Sequence, residues 1–307
     1  MNISLLISSL PTQSTTARMR VWRSIKASGA ATLRDGVYLL PAEHSEKFTP
    51  IANDLISEHG TAYIFQTTST EQLNLAEMFS RKDEYDLLYQ QLIGLRENLN
   101  EINKKESLKQ IRKLRKNFES LIEIDFFPTE AKTQTSNEIN SLEQIILRLG
   151  EINEPQMSQG NIQPLLQENF QNRVWATRKR PWIDRLASAW LIQNFIDPHA
   201  TFLWLEAPTD CPSSALGFDF DGATFSHIEH LVTFEVLLHS FSLHQQPALK
   251  KIAEIVHFLD VGGVEPPEAI GIEKVIQGLR SKIQDDQQLF ELSNYVFDGL
   301  YANFFRE

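Results

Sequence analysis

Residues 2–41 read NISLLISSLPTQSTTARMRVWRSIKASGAATLRDGVYLLP, and the punctuation of this stretch decides the fold. Ile3 to Leu10 is an apolar run broken by Pro11 and Thr12, which predicts a strand. Residues 14–28 carry Ala17, Val21, Trp22 and Ile25 on one face of a predicted helix. Gly29 is a suitable stop, since glycine accepts the left-handed turn that ends a helix. Ala30 to Leu33 and Val37 to Leu40 flank Arg34-Asp35-Gly36, a hairpin signal, and Pro41 closes the second arm. Downstream, a helical pattern at 45–59 stops at Gly60, and Ala62 to Gln66 is a fourth strand. The order β-α-β-β-α-β predicts a ferredoxin-like domain over residues 1–68.

Beyond it, residues 69–160 read as a helical region and linker. Residues 71–125 contain no proline and one glycine. Leu87, Leu88, Leu92, Leu95, Leu99, Ile102, Leu108, Ile111, Leu114 and Phe118 recur every three or four residues, which predicts one or two long helices. Phe127-Pro128 ends them, the Thr/Gln/Asn-rich stretch 129–139 reads as a loop, 138–149 as a helix, and 150–160 as a linker. Residues 161–307 form the third part. Strands are expected at 174–177, 201–205, 216–220 and 223–227. Helices are expected from Pro181 and at about 233–242, 247–259, 267–280 and 285–305. The fold class is α+β: an N-terminal ferredoxin-like domain, central long helices and a mostly helical C-terminal α/β domain with a small sheet.

Composition excludes several classes. The chain has 307 residues, is 42% hydrophobic and carries a net charge of −11, which rules out a uniformly basic nucleic-acid binder. One cysteine, Cys211, rules out an intrachain disulfide framework, a Cys-cluster metal site and two-thiol redox chemistry. The opening run lacks a basic leader and no apolar run approaches the roughly 20 residues of a membrane span, so a cytoplasmic protein without membrane partners is expected. No Gly-rich phosphate loop, nucleophile elbow or dinucleotide fingerprint occurs.

Four constellations remain. Arg178, Arg180 and Arg185 surround the start of a predicted helix, and guanidinium forks fit tetrahedral oxyanions. His227 adds a switchable donor, and solvated or locally paired arginines are the plain alternative. Asp184, His227, Glu235, His257 and Asp260 supply nitrogen and oxygen ligands suited to iron, manganese or zinc. Isolated structural histidines are the alternative there. Asp219-Phe220-Asp221-Gly222 resembles the opening of a calcium loop without its later ligands, and reads more simply as a strand ending in a turn. Finally, an acidic chain segregates cations onto two helices. Arg18, Arg20 and Arg23 lie on the first, and Lys109, Arg112, Lys113 and Lys116 lie in the run 104–116. Such runs contact phosphates without reading sequence, or form a solvated face.

The stretch LPTQSTTARMRVWRSIKASGAATLRDGVYLLP resembles the amino-terminal domain of ChrB-type chromate-resistance proteins. WATRKRPWIDRLASAWLIQNFIDP, ALGFDFDGATFSHIEHLVTFEVLL and IVHFLDVGG resemble their carboxy-terminal domain. The resemblance implies a chromate-responsive regulator of an efflux operon, with Arg178, Arg185 and His227 tied to sensing. His230 departs from the family pattern. The expected partners are chromate or a similar oxyanion, operator DNA and, independently of the resemblance, a second copy of the chain. The rival from another class is a metal-dependent enzyme using the His/Glu/Asp set, and a third reading is a helical adaptor. The chain shows no recognisable helix-turn-helix.

Overall fold

Strand β1 (Asn2–Ser9) lies inside a four-stranded antiparallel sheet ordered β2-β3-β1-β4, with β2 at Ala31–Arg34, β3 at Val37–Pro41 and β4 at Thr61–Thr68. The computed structural model describes residues 1–11, 15–68, 74–150, 155 and 160–306. Contacts divide the chain into two units, Met1–Leu142 and Glu143–Glu307. Most of the linker expected at 150–160 lies outside the described residues.

In the first unit, helices α1 (Thr15–Ser28) and α2 (Phe48–Ser57) join one sheet face. Leu6, Leu40, Val21, Ile25, Phe48, Ile51 and Leu55 make that core. The period-two alternation of β1 sends Ile3 to the opposite face, where Leu39, Leu75 and Phe79 meet it. Trp22, expected on the buried face of α1, is 50% exposed instead. It neighbours Val21 around the helix, outside the Ala17-Val21-Ile25 stripe, and Lys26 Nζ lies 5.2 Å over its ring.

The helical pattern beyond β4 resolves into α3 (Leu75–Met78), α4 (Lys82–Glu97) and α5 (Lys104–Ile122). Neither proline nor glycine separates α4 from α5. Asn100 and Asn103 do, each side chain accepting the other's backbone N–H at 3.1 and 2.9 Å, a reciprocal cap that starts a new helix. The loop expected at 129–139 is helical: α6 spans Glu130–Arg148. Its polar residues conceal a buried stripe of Thr135, Ile139, Leu142 and Ile146, and the Thr135 hydroxyl donates to Ala131 O at 2.8 Å.

The second unit holds a parallel sheet ordered β6-β5-β7, with β5 at Val174–Arg178, β6 at Thr201–Leu205 and β7 at Leu216–Gly217. Helix α7 (Ile183–Leu191) connects β5 to β6, and all nine of its residues are buried. The strand expected at 216–220 shortens to two residues and that at 223–227 reduces to one bridge, Phe218 to Phe225. Asp219 causes this, since its φ of 58° turns the extended chain aside. Helices α8 (Thr233–Ser240), α9 (Pro247–Val261), α10 (Ala269–Lys282) and α11 (Asp286–Phe304) complete a core around Trp175, Trp190, Phe234, Phe258, Phe290 and Phe297. The fold is α+β, and no described helix is long and apolar enough to cross a membrane.

Candidate functional site

β5 has β6 on one side and β7 on the other: the chain leaves β5 for β6 and then crosses back past β5 to β7. That is the switch point at which open α/β sheets form ligand crevices. Arg178 is the last residue of β5, and the first turn of α7 adds Asp184 and Arg185. The turn after β7 brings Asp219, the loop before α8 brings His227, and α8 begins at Thr233. Arg178, Asp184, Arg185, Asp219 and His227 are each at most 6% exposed.

Asp219 is the hub. Its Oδ2 accepts Arg185 Nε at 2.9 Å and lies 3.9 Å from Arg178 Nη2, while its backbone oxygen accepts Arg178 Nη2 at 3.3 Å. Its Oδ1 accepts the Thr233 hydroxyl at 3.0 Å and lies 3.4 Å from His227 Nε2. Arg185 also donates to Lys179 O at 3.2 Å. Asp184 anchors α8, accepting the backbone N–H groups of Thr233 and Phe234 at 2.9 Å each. This is a capping carboxylate supplied from another helix. His227 Nε2 lies 3.2 Å from Asp184 Oδ2 and 3.6 Å from Asp260 Oδ2 on α9.

These contacts set the protonation of the cluster. Burial opposes charge on His227, but hydrogen bonds to Asp184 and Asp219 override it and hold the imidazolium up to about 11. Burial, then the neighbouring Asp219 charge, push Asp184 up to about 6. For Asp219 burial pushes upward too, but the His227 hydrogen bond and the arginines outweigh it and hold the carboxyl well below the ordinary range. At neutral pH three cations, Arg178, Arg185 and His227, therefore face Asp184, Asp219 and the Asp260 carboxylate.

The sequence-predicted residues separate into groups. Arg178, Arg185 and His227 of the oxyanion set come together. Arg180 lies apart: its guanidinium donates to the carbonyls of Arg280, Ile283 and Gln284 at the end of α10. Its backbone N–H donates to Asp286 at 2.9 Å. Of the metal set, Asp184 and His227 meet with Asp219, their candidate ligand atoms all within 4.8 Å. Asp260 approaches His227. Glu235 and His257 form a separate pair at 2.8 Å that ties α8 to α9, and Glu235 also accepts Val232 N at 3.0 Å.

On the basic helices, Arg20 is committed to Asp54 and Glu58 at 2.6 and 2.8 Å. Arg18 donates to Pro11 O at 3.3 Å and Arg23 is exposed. On α5, Lys109, Lys113 and Lys116 continue an exposed stripe from Lys105, opposite the buried Ser107, Ile111, Leu114 and Phe118, while Arg112 is half-buried. Lys109 lies 3.4 Å from Glu106.

Sequence reasoning missed Thr233 and set Asp219 aside as part of a turn. Asp219 sits 34 positions from Arg185, and an Asp beside an Asp-Gly turn reads as turn chemistry, so nothing local points to that pairing.

Residues 175–304 match the family model described as ChrB, C-terminal domain. Over 308 aligned residues the chain is 42% identical to Protein ChrB of Cupriavidus metallidurans, covering 98% of this chain and 94% of that protein. No solved structure matches.

Proposed function

Since the chain belongs to the ChrB family of chromate-resistance proteins, we propose that it is a cytoplasmic, chromate-responsive transcriptional regulator of an efflux operon. It senses the oxyanion in the second unit and holds operator DNA with the basic faces of α1 and α5. The observation that carries this reading is the convergence of Arg178, Arg185 and His227, buried and from three separate segments, on one carboxylate at the switch point of the sheet. Guanidinium pairs and an imidazolium in a water-poor site offer charge-assisted donors to a tetrahedral dianion. Chromate changes DNA binding to the extent that it binds the DNA-competent and DNA-released states unequally.

One observation favours a second reading. The Asp184, Asp219 and His227 ligand atoms lie close enough to share a metal ion such as iron, manganese or zinc, as a metal-dependent enzyme would need. Two guanidiniums in contact with the same carboxylate weigh against it, because a divalent cation would add charge beside them. The deciding experiment is a mobility shift on the protein's own upstream DNA, with chromate and with sulfate as control. Release by chromate and not by sulfate is the expected result. Absence of any shift, together with a stoichiometric transition metal in untagged protein, overturns the regulator in favour of the enzyme.

A further inference from the structure

The Asp219 carboxylate sits where an incoming oxyanion has to sit. One of its oxygens lies between two guanidiniums, 2.9 Å from Arg185 Nε and 3.9 Å from Arg178 Nη2. The other accepts the hydroxyl of Thr233, the first residue of α8, at 3.0 Å. Resting on the oxyanion reading above, we propose that Asp219 is a resident internal anion. Chromate binds by displacing it from Arg178 and Arg185, and the displacement unhooks the Thr233 hydroxyl, which signals to α8.

Charge favours exchange over addition. Arg178, Arg185 and His227 already face Asp184, Asp219 and Asp260, so a dianion added to the cluster would bury two more negative charges. Taking the place of one carboxylate halves that excess. Phe220, next in the chain, packs with Ala176 and Leu205, so the exchange moves the Asp219 side chain about its own χ angles and leaves the turn in place. α8 stays docked meanwhile, because Asp184 holds the Thr233 and Phe234 N–H groups independently of Asp219. The signal is the loss of the Thr233 hydroxyl anchor at the start of α8, while the other contacts of that terminus persist.

The test measures chromate and sulfate binding by calorimetry, and chromate release of DNA, for wild type, Asp219→Asn and Thr233→Val. Asp219→Asn removes the competing charge and is expected to bind chromate at least tenfold more tightly than wild type. Thr233→Val keeps every charge but frees the carboxylate from α8. It is expected to bind chromate several-fold more tightly while releasing DNA less completely at saturation. Wild-type binding with no gain in Asp219→Asn overturns the internal-anion inference and leaves the oxyanion site standing. Binding by neither protein overturns both. If Asp219→Asn fails to fold, Thr233→Val decides alone: unchanged affinity with unchanged release overturns the inference.

Discussion

At residue scale the second unit depends on charges that have no exit to water. Arg185 is 4% exposed and Asp219 is 2% exposed, so removing one strands the other. Arg185→Ala is expected to destabilise the unit by about 3–5 kcal/mol, the usual cost of breaking a buried pair, seen as a lower urea midpoint. Arg185→Lys keeps the charge but not the planar fork, and is expected to stay closer to wild-type stability while losing chromate binding. His227 gives a pH prediction. Its folded-state value of about 11 lies above the ordinary 6.5. The stability it lends is therefore complete below pH 6.5 and lost as pH climbs toward 11. Urea titrations across that window should show a falling midpoint in wild type and a flatter one in His227→Gln; equal slopes would refute the assignment. The cations of this cluster were legible by type and position in the sequence. Their partner was not, because pairing across distant segments leaves no periodicity.

At element scale, α5 concentrates the DNA-binding part of the proposed function. Lys105, Lys109, Lys113 and Lys116 follow each other at four, four and three residues, which places them along one exposed stripe. Replacing Lys109 and Lys113 by Gln is expected to weaken DNA binding equally across sequences. The log–log salt slope should fall by roughly 2, about 0.9 per lost phosphate contact. An unchanged slope would remove α5 from the interface. A stability prediction belongs to the end of α1. Gly29 has a φ of 80°, and a Cβ there would stand 2.8 Å from Ile124 Cβ and 2.9 Å from the Phe126 ring. Gly29→Ala is expected to cost about 1–3 kcal/mol through a strained backbone, visible as a lowered melting temperature. Elements with clean punctuation, β1 through β4, were readable from the sequence. The second half of α6 was readable too, but its first half was not, since the buried stripe there begins with a threonine whose hydroxyl is satisfied inside the helix.

At the scale of the whole molecule, a net charge of −11 repels DNA in general, so binding must rest on the local basic faces and weaken steeply with salt. The order of elements in both units followed from alternation and helical spacing. The short β7 did not, because a left-handed residue after Gly217 ends the strand and no residue type announces that. Helix α7 has no side facing solvent, and two of its charged residues close the buried cluster. A diverging lineage therefore cannot neutralise these residues singly. Each lone replacement orphans a charge, and the tolerated routes pass through compensating pairs such as Arg185 with Asp219. The buried cluster is thus inherited as a block, insulated from gradual change by the same burial that stabilises it.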